Sequence, residues 1–561
     1  MTTSDSASSR EVPADGSVGG PEGEVPERTS STPAAQPRLH RNDYSPLGVP
    51  ALGEWTPTLS VSVVVPAHGH PEKLAMVLAS LAGQSYPAHL MEVVVVDDGS
   101  PEPLVLPAVC PDNTRLLTSA PGGWGSGHAF NTGVAESTGT VVLRLDSDML
   151  VYREHVESQM RWHHLLDYAV VLGHKLFVDF DPETMNPAYV AEQVRAGRAD
   201  VLFDRETADP HWIEEVVERT DGLREADHGA FKVFVGATGS LHRALFDAAG
   251  GMDADLVLGG DSELGHRLAQ QGAVFVPDLD TSSWHLGRSQ MQQERERGMR
   301  YRGPYVANRV PDFHLRNKRP DRQWEVPRVD VVLDVAGSTL EEVDATASGL
   351  LRGSTPDVRL WLRGPWGELD EGRRPLLSEE RLDLRLVRET FRGDPRVRFT
   401  EEEPEDDARV PFRLHVPVGA EPRANAVANL VALLDRQGDG LFCAPLPGAT
   451  RAGDGVLRLE RTAAFARARH LEPEASPKEL DQLVEELFGI QWSSAQAFLV
   501  APEAEPVVEE LSEDSPESLR HQLHQVKVEA QRLRRRAERA ERKLRWFTPD
   551  LGRRILRRFA R

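Results

Sequence analysis

Val141-Val142-Leu143-Arg144-Leu145-Asp146-Ser147-Asp148 is the stretch on which the fold turns. A short, almost continuous apolar run that stops in two carboxylates reads as a buried strand whose carboxyl end opens onto a polar edge. Two runs upstream have the same character. Val61-Ser62-Val63-Val64-Val65 leads into Pro66 and a helical stretch from Glu72 to Ala82, and Met91-Glu92-Val93-Val94-Val95-Val96 ends in Asp97-Asp98-Gly99-Ser100. Apolar strands alternating with helices predict an α/β fold with a mostly parallel sheet between helices. Such sheets bind ligands at the carboxyl ends of their strands, so the acidic clusters are expected to converge on one site.

Further along, the texture repeats weakly. Val329-Asp330-Val331-Val332-Leu333 and the helical pattern to Leu351 echo the first strand and its helix. Arg423 to Val427, then Gly440 to Pro447, echo Asn131 to Val134 and Val141 to Asp148, with Leu446 and Pro447 where the first copy has carboxylates. Residues 327–503 therefore read as a second α/β domain without catalytic groups, either a degenerate copy of the first or an unrelated α/β unit. Residues 46–326 form the first domain. Residues 1–45 are rich in Ser, Pro, Gly, Glu and Thr, which predicts a disordered tail.

A linker rich in Glu and Pro covers 504–515, and 516–561 carries an a/d seam through Leu519, Leu523, Val526, Ala530, Leu533, Ala537, Ala540 and Leu544. That spacing predicts a coiled coil that would pair two chains through 516–545, the alternative being a single helix packed on the body. Residues 546–561 then place Leu551, Ile555 and Phe559 on one helical face among arginines, a pattern suited to an anionic membrane surface. A clasp onto the acidic body or a solvated cap are the rival readings. From Val526 onward there are 14 Lys/Arg against 4 Asp/Glu.

Composition sets outer bounds. The chain has 561 residues, a formal net charge of −23 and 40% hydrophobic residues. So acidic a chain is not a general nucleic-acid binder, because phosphate contacts need positive surface. Two cysteines, Cys110 and Cys443, exclude a disulfide scaffold and a Cys-based zinc ribbon and read as buried thiols. The opening residues lack a signal-peptide pattern and no apolar run is long enough to span a bilayer, so the expected location is cytoplasmic, with the basic tail able to hold the protein at the inner face of a membrane.

Asp146 and Asp148 lie two apart at a strand end, so they point the same way and can share a hard divalent cation, Mg²⁺ or Mn²⁺, which would neutralise a diphosphate. Asp97-Asp98-Gly-Ser is also ordinary turn chemistry. Gly236-Ala237-Thr238-Gly239-Ser240 is followed by Gly250-Gly251-Met252-Asp253, then Gly259-Gly260-Asp261-Ser262-Glu263, then Trp284-His285. The glycines permit close backbone approach to a ligand, and a helix is expected from Asp261 to Gln270. Helix capping is the plain alternative for Asp261 and Glu263, and a packed core histidine for His285.

Taken together, these segments resemble the family 2 glycosyltransferases of the GT-A fold over about Leu59 to Gly287. The block from Gly236 to His285 is most similar to the chondroitin-polymerase and polypeptide N-acetylgalactosaminyltransferase branches. The resemblance implies a nucleotide-diphospho-sugar donor contacted by Pro66, Asp97, Asp98, Asn131, Asp146 and Gly239. It implies a Mn²⁺ or Mg²⁺ ion on Asp148 and His285, and an acceptor side formed by Gly260 and Glu263. Asp261 would be the general base of an inverting, non-processive transfer to a hydroxyl of a glycan, cell-surface polymer or lipid-linked acceptor, of hexosyl or N-acetylhexosaminyl type. Three departures stand out: Phe130 replaces the usual basic residue before Asn131, Gly260 replaces the usual carboxylate before Asp261, and the Gln-x-x-Arg-Trp motif of processive synthases is missing. A sugar-phosphate nucleotidyltransferase would need a basic Gly-rich loop after the first strand, which Pro66-Ala67-His68-Gly69-His70 does not supply. The other alternative is a non-catalytic glycan-assembly scaffold acting through the coiled coil and second domain.

Overall fold

All three diagnostic runs form strands of one sheet. In chain order the first half contains β1 (Val61–Ala67), β2 (Met91–Asp97), β3 (Thr114–Thr118), β4 (Val141–Leu145), β5 (Met149–Val151), β6 (Ala169–Gly173), β7 (Leu176–Val178), β8 (Asp209–Pro210), β9 (Thr238–His242), β10 (Val274–Asp278) and β11 (Ser283–Leu286). Seven of them make a sheet in the order β10-β6-β9-β4-β1-β2-β3, and the other four make a small sheet, β5-β11-β7-β8. The large sheet is parallel except for β9, which runs antiparallel between β4 and β6. Its strands are buried from end to end in β1, β4, β6 and β10, as the unbroken apolar runs require. The predicted helix after β1 spans Pro71–Leu81. Proline suits its first turn, and Leu74, Val77, Leu78 and Leu81, spaced three and four apart, turn into the core.

The computed structural model describes residues 35–319, 322–446 and 455–500, without the side chain of Gln290. The coiled-coil seam, the acidic linker and the basic tail lie outside the described residues. Among the described residues, no helix is long and apolar enough to cross a membrane.

The expected disordered tail of residues 1–45 needs correction over its last eleven residues. Leu39, Asn42 and Tyr44 are buried. The Asn42 side chain donates to the Leu223 and Phe275 carbonyls and accepts from the Phe275 amide. The polar composition of this segment conceals the few residues that plug into the body.

The second half holds β12 (Val329–Asp334), β13 (Val358–Arg363), β14 (Val397–Thr400), β15 (Phe412–His415), β16 (Leu441–Pro445), β17 (Val456–Arg461) and β18 (Ile490–Trp492). They form a second sheet in the order β14-β13-β12-β15-β17-β16-β18. Position by position this matches β3-β2-β1-β4-β9-β6-β10, including the single antiparallel strand, β17 in place of β9. The echo in the sequence is displaced by one element. The counterpart of β4 is β15, not the Leu441–Pro445 strand, which occupies the place of β6. The helix Ser126–Ala135 between β3 and β4 has no counterpart between β14 and β15, so in the sequence it is the next helix, Ala426–Gln437, that resembles it.

Both lobes belong to one unit that runs to Val500. Arg467, fully buried on the helix Thr462–Leu471, joins them. It donates to the carbonyls of Gly272 and Ala273 in the first lobe and of Leu39 and Arg41 in the N-terminal segment, and lies over the rings of Tyr168 and Phe488.

Candidate functional site

The candidate site opens at the carboxyl ends of β1, β2 and β4. Asp146 begins a tight turn in which the Met149 amide donates to its carbonyl (3.1 Å), so Asp148 is the third residue of that turn. β5 then pairs antiparallel with β11, His285 opposite Met149, and the Leu286 amide donates to the Asp148 carbonyl at 2.8 Å. This ladder brings His285, 137 positions away in sequence, to Asp148: Nε2 lies 3.6 Å from Oδ1.

His285 is nearly buried against Phe177, with ring centroids 4.5 Å apart. Its Nδ1 donates to the Gly287 carbonyl at 2.9 Å, which leaves the Nε2 lone pair facing the carboxylate of Asp148. Two electron-pair donors turned toward each other suit a cation between them, and the carbonyl bond on the far nitrogen is the usual means of orienting a ligating imidazole. Burial raises the pKa of Asp148 above the ordinary carboxylate value, against the opposing charge of Lys73. Added positive charge would relieve that cost. The Lys73 ammonium stands 3.8 Å from Asp148 Oδ2 and supplies part of it. Among the described residues no group of three or more His, Cys, Asp or Glu converges as a metal cage. Two protein ligands with the remaining positions left to phosphate and water is the arrangement that suits Mg²⁺ or Mn²⁺ with a diphosphate.

Asp261 lies in the first turn of the helix Gly260–Gln270, whose entry is set by Gly259 at φ 102°. Its Oδ1 accepts from Arg144 Nη1 at 2.6 Å, and the same guanidinium donates to Asp146 Oδ1 at 3.2 Å. The Asp261 side chain is one-third exposed, and its other oxygen has no partner among the described residues. Arg144 thus ties the strand-end carboxylate to the helix-start carboxylate. Burial opposes its charge, yet Asp261 and Asp146 outweigh that and raise its pKa. Sequence reading passes over Arg144, although a lone arginine inside the apolar run Val141–Leu145 is a visible signal. Among the glycines expected to allow close approach, Gly236 is the one at this site: a Cβ there would overlap the Arg144 guanidinium and lie 2.7 Å from Asp261 Oδ1.

Other expected site residues are engaged elsewhere. Glu263 is buried, and both its oxygens pair with Arg267 at 2.6 and 2.5 Å; Arg267 also binds the Ala249 carbonyl. This corrects the acceptor-side expectation, since no part of its carboxylate is left for a substrate. Asn131 donates to the Met252 carbonyl and accepts from the Met252 amide, so it braces the Gly250–Met252 loop instead of presenting a free amide to a nucleotide. Gly239 lies inside the sheet, between Arg144 of β4 and Leu172 of β6, with Phe234 and Val171 as its nearest neighbours; it is Gly236, three residues earlier, that abuts the site. Pro66 is buried in β1, opposite Val96.

Asp97 accepts from the Ser100 and Leu104 amides. Burial works to raise its pKa, but those bonds prevail and it lies below the ordinary value. Asp98 accepts from the Ser119 hydroxyl and, at 2.6 Å, from the amide of Gly125, the residue that precedes the helix Ser126–Ala135. Both aspartates shape the rim of the site. Gly260 begins its helix, and a Cβ there would stand 3.0 Å from Met252 Cε.

Residues 62–208 match the family model described as Glycosyl transferase family 2. The block from Gly236 to His285, with Asp261, lies beyond that match. The chain is 32% identical over 101 residues to glycosyltransferase AglE of Haloferax volcanii, covering 17% of this chain and 33% of that protein. It is 27% identical over 135 residues to an uncharacterized glycosyltransferase of Nostoc sp., covering 23% and 41%. The chain therefore spans between a third and two-fifths of the length of these curated relatives. Among solved structures, it is similar to the mannosyltransferase PcManGT from Pyrobaculum calidifontis in complex with GDP-Man and Mn²⁺ (20% identity, TM-score 0.30, 42% of this chain and 59% of that one). It is also similar to S. aureus TarS 1–349 in complex with UDP-GlcNAc (16% identity, TM-score 0.28, 41% and 59%). None of these matches singles out the chondroitin-polymerase or polypeptide N-acetylgalactosaminyltransferase branch.

Proposed function

We propose that this protein transfers a sugar from a nucleotide-diphosphate donor to an acceptor hydroxyl, in a single displacement that inverts the anomeric centre. The observation that carries the reading is the Arg144 bridge. It holds Asp261 and Asp146, 115 positions apart, at one strand edge, next to the facing pair Asp148 and His285. An acceptor oxygen attacking the anomeric carbon must lose a proton, and the unpartnered oxygen of Asp261 is placed to take it. Arg144 fixes the other oxygen and so orients the base. Asp148 and His285 would hold a divalent cation, which supplies positive charge to a diphosphate leaving group. Asp97 and Asp98 shape the nucleotide rim through the loops they tie. The acceptor in this reading is a hydroxyl of a glycan, cell-surface polymer or lipid-linked carrier, and the partial exposure of Asp261 supports its approach from that side.

The second lobe is a degenerate, non-catalytic copy in this reading. The matching strand order supports a copy, and the replacement of the positions equivalent to Asp97, Asp98, Asp146 and Asp148 by glycine and proline supports the lack of catalysis. In the same proposal, residues 516–545 would pair two chains and 546–561 would contact an anionic membrane surface, on the strength of their sequence pattern alone.

Titration calorimetry of the full-length protein with UDP or GDP and Mn²⁺ tests the core of this proposal. One nucleotide per chain should bind in Mn²⁺, and binding should disappear in EDTA and in Asp148→Ala. Equal binding with and without the cation, or in the variant, would remove the metal assignment.

A further inference from the structure

The segment after β6 carries no recognisable motif, yet it holds buried polar atoms without partners. Lys175, between β6 and β7, is 2% exposed, and its Nζ has no hydrogen-bond partner among the described residues. Three carboxylates act on its charge, Glu214, Asp146 and Asp261, and none comes within ion-pair distance. Burial pushes the Lys175 pKa down to about 8. Glu214, in the first turn of the helix Trp212–Arg219, accepts no hydrogen bond among the described residues and stands 3.7 Å from His174 Nε2. His211 Nδ1 is buried and likewise unpartnered. Its ring lies 5.6 Å from Phe177, whose other neighbour is the His285 ring. Lys175, His211 and Glu214 therefore cluster beside Phe177 and His285, close enough to Asp146 and Asp261 for those carboxylates to act on the Lys175 charge.

A buried ammonium with no partner is costly, and this one is not compensated by the fold. Resting on the glycosyltransferase reading above, the geometry points to a ligand. The transferred ring must lie between the leaving-group side, Asp148 and His285, and the base, Asp261. Arg144 already pairs with Asp146 and Asp261, so Glu214 is the carboxylate left without a donor beside Lys175, and it would repel an anionic sugar. Hydroxyls meet both needs, since each can accept from an ammonium and donate to a carboxylate. We propose that Lys175 and Glu214 form the subsite that reads the donor's sugar, an uncharged hexose, with Lys175 donating to one ring hydroxyl and Glu214 accepting from its neighbour. Glu214 and His211 lie beyond residue 208, where the family match ends.

The test is calorimetry on the full-length protein with Mn²⁺, using UDP, GDP, UDP-glucose, GDP-mannose and UDP-glucuronate. Lys175→Met and Glu214→Gln should weaken binding of the preferred hexose nucleotide by on the order of 10- to 100-fold, the span expected for hydrogen bonds to charged groups. Binding of the matching free nucleotide should not change. Lys175→Met should also melt at or above the wild-type temperature, because it removes a buried charge that the fold leaves unpaired. Equal weakening of nucleotide and nucleotide sugar, no weakening of either, or tighter binding of UDP-glucuronate than of UDP-glucose would each overturn the subsite. Failure of the wild type to bind any nucleotide in Mn²⁺ would instead overturn the glycosyltransferase reading, and the subsite with it.

Discussion

The two lobes share a strand order and part company where the strands end. Counting forward from the paired residues Val61–Met91–Val141 in the first sheet and Val329–Val358–Phe412 in the second gives the correspondence. Asp97 and Asp98 fall opposite Gly364 and Pro365, Asp146 opposite Pro417, Asp148 opposite Gly419, and Arg144 opposite His415. All four carboxylates are replaced by glycine or proline. The cation that bridges Asp146 to Asp261 becomes a histidine lying 3.8 Å from Glu403 and 4.0 Å from Glu460. The architecture depends on the apolar runs, which both lobes keep. Chemistry depends on a handful of residues just past the strand ends, where substitution leaves the core untouched.

The sharpest break in this comparison would come from Asp261, which sits on an element of the first lobe that the shared sheet does not specify. Asp261→Asn keeps the size and the Arg144 contact but cannot take a proton. Turnover should fall by about 10²–10⁴-fold with nucleotide affinity retained, as measured by steady-state transfer and calorimetry. A variant that kept most of its rate would remove the general base, and Glu263 could not replace it because Arg267 occupies both its oxygens.

A smaller effect is expected from giving the first lobe the second lobe's residue. Arg144→His shortens the side chain, so it no longer spans from Asp146 to Asp261, and two carboxylates lose a shared hydrogen-bonded cation. The rate should fall by roughly 10- to 100-fold, the scale of a misplaced catalytic group, while Arg144→Lys should recover part of it. Unchanged kinetics would show that the bridge is structural and that the lobes differ only in their carboxylates.

Legibility followed the range of the interactions. β1, β2 and β4 could be read because a strand buried on both faces must be continuously apolar, and β12 for the same reason. Asp146, Asp148, Asp261 and His285 stood out as polar residues at the ends of such elements. Arg144, Gly236, Lys175 and Glu214 acquire meaning only when β4, β6 and two helices meet, and no local pattern encodes that meeting. The false leads have the reverse cause. Asn131 and Glu263 sit beside the right residues in sequence, but their hydrogen-bonding capacity is taken up by the Met252 backbone and by Arg267. The Lys175 position did leave a trace, a polar pair, His174-Lys175, interrupting the buried run between β6 and β7.

The smallest difference expected between the lobes concerns acid. The first lobe buries histidines in neutral form. Burial pushes His155 and His174 down to about 4 and His211 to about 3, against an ordinary value of 6.5. His155 hydrogen-bonds with Thr238 of β9 at 2.6 Å, so its neutral form is part of the sheet's support. Between pH 6.5 and about 4 the unfolded chain binds more protons at these sites than the folded one. The stability they contribute is therefore full above pH 6.5 and drains away as pH falls towards 4. Asp148, Glu214 and Asp278, raised by burial, act in the opposite sense and offset part of the loss. In the second lobe, His415 is the one described histidine that burial lowers, and Asp330 and Asp357 are raised there. The first lobe should therefore lose more, by about 1–3 kcal/mol at pH 5 relative to pH 7.5, since each tenfold change in proton affinity corresponds to about 1.4 kcal/mol. Hydrogen exchange, corrected for intrinsic rates, should show β6, β9 and β10 losing protection at about pH 5 before β12, β13 and β15. Loss in both together would show that the interface around Arg467 makes the lobes a single cooperative unit, and loss in the second sheet first would overturn the difference drawn from their histidines.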